Sequence, residues 1–200
     1  MGDWITNTIK SMGYGGVFLL TLLETVFPPI PSELIMPLAG YLVSEGKMTL
    51  AGAVAAGTAG SVLGALVLYW LGRWLGEERL KNFADRHGRW LTLSRSEIER
   101  ASEWFRRHGG WAVFVCRLIP GLRSLISIPA GINGMNVWRF LLYTVLGTAV
   151  WTGALVYVGF VLGSQFEQVE RWLGPVSKVV LGVLVVWYLW RVATHKGREA

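Results

Sequence analysis

The chain has 200 residues, 52% of them hydrophobic and 16% charged, with a mean hydropathy of +0.43. One compact domain fits that length, and apolar blocks this long point to an integral membrane protein rather than a soluble fold. The net charge is +6 with one Cys and three His, which excludes an internal disulfide and a cysteine metal cluster; His87, His108 and His195 show no metal-ligand spacing, so no metal and no cofactor are expected.

In chain order, the N-terminus lacks a basic n-region and a small-residue cleavage site, so no removed signal peptide is expected. "MGDWIT" matches the loose myristoylation pattern, which is read as chance on a chain already embedded in the membrane. Residues 13–27 are apolar except for Glu24, Pro28, Pro29 and Pro31 interrupt them, and residues 34–44 are apolar again. Neither arm is long enough to cross a hydrocarbon core of about 30 Å comfortably. The prolines remove backbone donors and force an extended turn. Two short arms around a broken tip describe a re-entrant hairpin, tolerated at depth where protein or water covers the backbone. A single kinked spanning helix is the alternative.

Residues 49–76 form a spanning helix, with 25 residues from Met48 to Gly72 free of charge. Glycines four apart, as in "GSVLG" and "GRWLG", let helices approach closely. Residues 77–109 are the long polar segment. "SRSE" at 94–97 is a capping box, Ile98, Ala101 and Phe105 share one face, and Gly109 is a stop, so an amphipathic helix is expected on the membrane surface or domain underside.

The hairpin pattern returns at residues 111–133. Trp111 to Pro120 is about 15 Å of helix, half the core thickness. Pro120 and Gly121 break it, and "LISIPAG" continues. Residues 137–163 then span the membrane and residues 172–191 span back; Phe140 to Phe166 is 27 residues without a charge. Nine of the nineteen Lys and Arg lie between Arg73 and Arg107. Arg191, Lys196 and Arg198 are near the C-terminus, while the 163–172 turn carries Glu167 and Glu170. The positive-inside rule then makes the central segment and C-terminus cytoplasmic. Topology and anionic headgroups account for the basic excess, and no nucleic-acid partner is expected, since the basic residues alternate with acids.

The halves resemble each other. "PLAG" at 37–40 matches "IPAG" at 128–131, and "GALV" at 64–67 recurs at 153–156, with offsets of 91 and 89 residues. The expected fold class is therefore an all-α integral membrane protein. It is one domain over 1–200: repeat 1 at about 13–76, connector 77–109, repeat 2 at about 110–163, and a C-terminal spanning helix at 172–191. The repeats run in opposite directions, and inverted repeats with broken helices are characteristic of transporters whose site lies where the breaks meet.

Four charges fall in the apolar arms: Glu24 and Glu33 in the first, Arg117 and Arg123 in the second. Each costs about 2.5–3.5 kcal/mol on insertion scales at a helix centre, so each needs a partner, water or a ligand. Two buried Glu–Arg pairs pinning the hairpins together form one reading. In the other, Arg117 and Arg123 hold a lipid phosphate in forked, charge-assisted bonds, helped by Ser124 and freed N–H groups at 120–124. Glu24 or Glu33 then couples movement to proton uptake, as a buried carboxylate favours its protonated form.

"LETVFPPIPSELIMPLAG" (23–40), "FVCRLIPGLRSLISIPAG" (114–131), and Met135 with Phe140 resemble the DedA family of bacterial inner-membrane proteins, related to eukaryotic autophagy-associated lipid scramblases with VTT-type domains. The resemblance covers nearly the whole chain. It implies two facing re-entrant hairpins and translocation of undecaprenyl phosphate or phosphatidylethanolamine, dependent on the proton-motive force. It places the functional acids and arginines at Glu24, Glu33, Arg117 and Arg123; several members carry aspartate at the position of Glu33. The implied partners are a membrane lipid and protons, with a homo-oligomer left open, and the implied location is the bacterial inner membrane. Two other classes compete. "PGLRS" resembles part of the undecaprenyl-diphosphate phosphatase motif, which would make Ser124 a nucleophile, although that motif is incomplete and no histidine lies nearby. A passive scaffold would tolerate neutralisation of all four charges.

Overall fold

A computed structural model of the chain describes residues 2–26, 32–91, 95–119 and 122–163. These form eight helices, and no strand occurs among the described residues. They are α1 (Gly2–Met12), α2 (Tyr14–Val26), α3 (Ser32–Ser44), α4 (Leu50–Leu91), α5 (Arg95–Arg117), α6 (Leu122–Leu125), α7 (Ser127–Ile132) and α8 (Val137–Leu162). The expected breaks at Pro28, Pro29, Pro31, Pro120 and Gly121, the Ser94 end of the capping box, and the 172–191 helix lie outside the described residues.

Helix α1 is not legible as an apolar block. Its stretch is polar apart from a narrow stripe, yet Ile5 and Ile9, one turn apart, are buried against Val17 and Leu20 of α2. That i, i+4 pair is the signal. Gly16 lets the Thr8 carbonyl come close, which sets α1 tightly on α2.

Two helical segments, Leu50–Glu77 and Val137–Leu162, are long and apolar enough to cross a membrane. Only about a third of each is covered by protein (33% and 28%), and Val67, Trp70, Leu71, Leu146, Val150 and Val161 are exposed. A soluble protein rarely shows so continuous an apolar exterior; a lipid-facing helix must. α4 leaves helical geometry at Gly76 (φ 68°) and α5 at Gly109 (φ 51°), both left-handed conformations that glycine adopts without penalty. Residues 77–91 of the polar connector thus follow Gly76 within α4, and residues 95–108 precede Gly109 within α5. Phe105 on its apolar face is buried.

Helices α4 and α8 pass each other antiparallel, as their shared contacts require. Ala53 and Val156 belong to one apolar cluster, with residues of α1, α2 and α3. Ala65, Tyr69 and Phe140 belong to a second, with Val113 and Cys116 of α5 and Ile126 and Ala130. Between the clusters, Thr58 and Thr152 exchange a hydrogen bond of 3.0 Å.

In lipid, apolar area does not drive helices together, so close backbone packing must. Four glycines do this in a reciprocal pattern. The Val156 carbonyl sits where a Cβ of Gly40 would be, and the Tyr69 carbonyl does the same at Gly131. The Pro37 carbonyl fills that space at Gly159 and the Ile128 carbonyl at Gly72. Pro37 and Gly40 thus correspond to Ile128 and Gly131, 91 residues on, as the sequence match implies. Tyr69 and Gly72, however, correspond to Val156 and Gly159, 87 residues on rather than the 89 implied by "GALV". In an apolar helix, letter identity is degenerate, whereas the glycine facing a neighbouring backbone is not.

Gly131→Ala is expected to destabilise the fold by about 1–3 kcal/mol through overpacking on the Tyr69 carbonyl. Gly153→Ala, where a Cβ meets nothing within 4 Å, is the matched control and is expected to be neutral. Thermal unfolding of both variants in detergent measures the difference.

Candidate functional site

The polar residues between the apolar clusters form a belt at the middle of both spans. On α4 it consists of Thr58 and Ser61; on α8 of Thr144, Thr148 and Thr152, spaced four apart and all buried. Helix α2 adds Thr21, Glu24 and Thr25 on the same face as Val17 and Leu20, by the same 3.6-residue period. Thr21, Thr25 and Thr152 return their hydroxyl protons to carbonyls one turn back, at 2.8–2.9 Å. Hydroxyls satisfied in this way keep a helix comfortable in lipid.

Glu24 (4% exposed) forms an ion pair with Arg123 (9% exposed), Oε1 to Nη2. Arg123 reaches it from α6, a single turn just beyond Pro120 and Gly121. The α5 arm is shorter than expected. Its helix ends at Arg117, and Leu118 and Ile119 follow with i→i+3 bonds to Val115 and Cys116. The physical reason lies in Pro120, which disfavours α geometry at the residue before it and so unwinds the chain early.

Arg117 is 2% exposed. Its stem passes over Gly147 of α8, where a Cβ would lie 2.7 Å from the Arg117 Cβ. Nη2 donates to Ser127 Oγ at 2.8 Å, and the guanidinium stands 5.9 Å from the centre of the Phe140 ring. Phe140 stacks on Tyr69 at 4.7 Å, and the Tyr69 hydroxyl donates to the Met135 carbonyl. Of the downstream pair noted in the sequence, Phe140 therefore stands beside Arg117, while Met135 holds the Tyr69 on which Phe140 stacks.

Arg117 and Arg123 line one small cavity together with Thr25, Ser61, Thr148 and Trp151. Its volume of about 10 Å³ is room for about one water. Across α4 and α8 lies a second, apolar hollow of about 610 Å³, lined by Leu50, Val54, Thr58, Val62, Val145 and Ala149 among others. Ser61 and Thr148 face the cavity while their neighbours Val62 and Ala149 face the hollow.

Of the expected site residues, Glu24, Arg117 and Arg123 are brought together. Ser124 is buried in α6 but does not line the cavity; the serines there are Ser61 at the wall and Ser127 on Arg117. Arg117 has Ser127 and Phe140 as its partners among the described residues, rather than a glutamate. Glu33 is in the first turn of α3, and its side chain lies outside the description. Sequence reading missed Thr25, Ser61, Ser127, Thr148 and Trp151. For Thr25 and Thr148 the signal was a hydroxyl every fourth residue along an otherwise apolar helix; Ser61, Ser127 and Trp151 carry no such mark. Among the described residues no group of His, Cys, Asp and Glu is arranged to hold a metal.

Fold and site together define an all-helical membrane protein with a buried, charged cavity at mid-span. The chain belongs to the VTT-domain family, known in bacteria as DedA; the VTT domain matches residues 30–161. It is 38% identical over 199 residues to a Staphylococcus aureus protein named undecaprenyl phosphate transporter A, covering 100% of this chain and 98% of that one. A Bacillus subtilis protein of the same name is 37% identical over 183 residues, 92% of this chain and 86% of its own. A Lactococcus lactis protein named alkaline phosphatase-like protein is 40% identical over 190 residues, 94% of this chain and 89% of its own. No solved structure matches the chain.

Proposed function

We propose that this protein is a flippase of the bacterial inner membrane for a phosphate-bearing lipid, first of all undecaprenyl phosphate. The observation that carries the reading is the buried Arg117, Arg123 and Glu24 cluster at mid-span, where each charge is costly and an ion pair is a poor source of stability compared with apolar packing. The names of the Staphylococcus and Bacillus relatives support the substrate. The apolar hollow behind Ser61 and Thr148 supports an amphiphile, with a headgroup on the arginines and a hydrocarbon chain along α4 and α8. Phosphatidylethanolamine is the alternative cargo.

The antiparallel α4 and α8 and the reciprocal glycine contacts support an inverted repeat of two re-entrant hairpins within one domain. The basic connector at 77–109 and the C-terminus face the cytoplasm in this reading. The cavity of about 10 Å³ admits no phosphate group, which this reading takes as the closed state of the cycle. Glu24 Oε2 has no hydrogen-bond partner and is the atom open to a proton. Proton uptake there releases Arg123, and Arg123 with Arg117 then takes the headgroup phosphate; Glu33 acts from the facing arm. Proton-motive force thereby drives the exchange between ion pair and lipid phosphate. No hydrolytic step is assigned to Ser124, and release of inorganic phosphate from a lipid diphosphate by the pure protein would overturn the transporter reading in favour of a phosphatase.

Reconstitution in liposomes tests the proposal. Full-length protein is expected to move undecaprenyl phosphate between leaflets faster with a proton gradient than without, and to move phosphatidylethanolamine more slowly. Equal rates in protein-free liposomes would sink it.

A further inference from the structure

Five buried side-chain atoms among the described residues have no hydrogen-bond partner: Glu24 Oε2, Arg117 Nε, Thr144 Oγ1, Thr148 Oγ1 and Trp151 Nε1. Folded proteins satisfy nearly all such atoms, so each orphan asks for a cause. Three of the five residues, Arg117, Thr148 and Trp151, line the same small cavity. Arg117 and Thr148 are more than nine-tenths buried, and Trp151 Nε1 is itself shielded from solvent.

Their chemistry is one-sided. An arginine Nε–H and an indole Nε1–H can only donate, while a threonine hydroxyl does either. Two obligate donors and a hydroxyl around a fixed guanidinium charge make a receptor for an oxygen carrying negative charge. Arg123 is already engaged by Glu24, whereas Arg117 spends one Nη on Ser127 and keeps Nε free. We propose that Arg117 Nε, Thr148 Oγ1 and Trp151 Nε1 form the resident oxyanion receptor for a lipid phosphate, and that Thr148 and Trp151 are specificity-determining residues. The cavity of about 10 Å³ fits one oxygen; the remaining phosphate oxygens enter only as Arg123 leaves Glu24. The two arginines therefore divide the work, with Arg117 as receptor and Arg123 as gate. This rests on the lipid-phosphate reading above.

The test is titration of full-length protein in a neutral maltoside detergent with monododecyl phosphate, and separately with inorganic phosphate, followed by ligand-dependent thermal shift. Trp151→Phe and Thr148→Val are each expected to weaken monododecyl phosphate binding about tenfold, the loss of one charge-assisted hydrogen bond. Thr148→Ser, which keeps the hydroxyl, should bind like wild type. Without ligand, Trp151→Phe should unfold at the wild-type temperature or above it, since it removes an unsatisfied donor. Unchanged affinity in Trp151→Phe and Thr148→Val, with both unfolding earlier, would assign the cavity to a structural water and overturn the proposal. Equal affinity for inorganic phosphate keeps the receptor but removes its lipid. If wild type moves lipid phosphate while neither variant binds it less tightly, the receptor alone fails; if wild type neither binds nor moves it, the transporter reading fails as well. Should the variants not fold, 5-fluorotryptophan placed at 151 gives a ¹⁹F resonance that must move on adding monododecyl phosphate, and a stationary resonance overturns the assignment.

Discussion

Glu24→Ala is expected to abolish the proposed lipid-phosphate transport and to destabilise the protein by about 3–5 kcal/mol, because removing one partner leaves Arg123 a buried cation without its anion. Arg123→Ala gives the mirror case, with Glu24 left as the uncompensated charge. Stability alone does not separate a structural pin from a gate, since both readings predict loss on breaking the pair. The double variant Glu24→Leu with Arg123→Met separates them. Replacing a whole buried pair with apolar groups of similar volume is often neutral or stabilising, so its unfolding temperature is expected to return to the wild-type value or exceed it. Transport is expected to remain absent, because the pair then holds neither a proton acceptor nor a releasable guanidinium, and Glu33 and Arg117 do not replace it. A stable double variant that transports at the wild-type rate would falsify the gate and leave the pair as packing. Measurement needs only unfolding in detergent and leaflet exchange in liposomes on the same four proteins.

This pair was partly legible in the sequence. Charges in apolar arms stand out against their surroundings, and Glu24, Arg117 and Arg123 are identifiable from cost alone. Which acid meets which arginine is not, because pairing depends on how α2 and α6 meet in space, and two acids and two arginines allow several matchings. Spans and hinges were legible because length, hydropathy and a positive-φ glycine act locally: α4, α8, Gly76 and Gly109 follow from the chain read one window at a time. The register between repeats was off by two in the spanning helices, because Gly72 and Gly159 are matched by the backbones they face, and a run of Val, Leu and Ala carries no such mark. Helix α1 was missed since its apolar stripe is only two residues wide at Ile5 and Ile9. The cavity wall was missed for a different reason. Thr25, Ser61, Thr148 and Trp151 are ordinary residues in a membrane helix, and only their convergence on one cavity with Arg117 and Arg123 gives them meaning.

That convergence makes Arg117 the position least able to accept a conservative change. Lysine preserves the charge, so an account based on charge alone predicts that Arg117→Lys retains most activity. The geometry predicts otherwise. Three separate features of the Arg117 guanidinium matter: Nη2 on Ser127 Oγ, its place 5.9 Å from the Phe140 ring centre, and Nε without a hydrogen-bond partner. A lysine ammonium is a compact point charge with no Nε and no plane to lay against a ring. It can hold Ser127 or turn toward Thr148 and Trp151, but not both at once. Loss of a charge-assisted bond in a desolvated site is worth about 1.5–3 kcal/mol, so lipid-phosphate transport by Arg117→Lys is expected to fall roughly ten- to hundredfold. The buried charge persists, so expression and unfolding temperature should change far less than in Arg117→Ala. Gly147→Ala should reproduce part of this defect without altering the arginine, since a Cβ there would meet the Arg117 Cβ at 2.7 Å and push the stem off its path. Transport at wild-type rate in Arg117→Lys would mean that the cavity reads charge and not shape, and the division of labour between the two arginines would have to be given up.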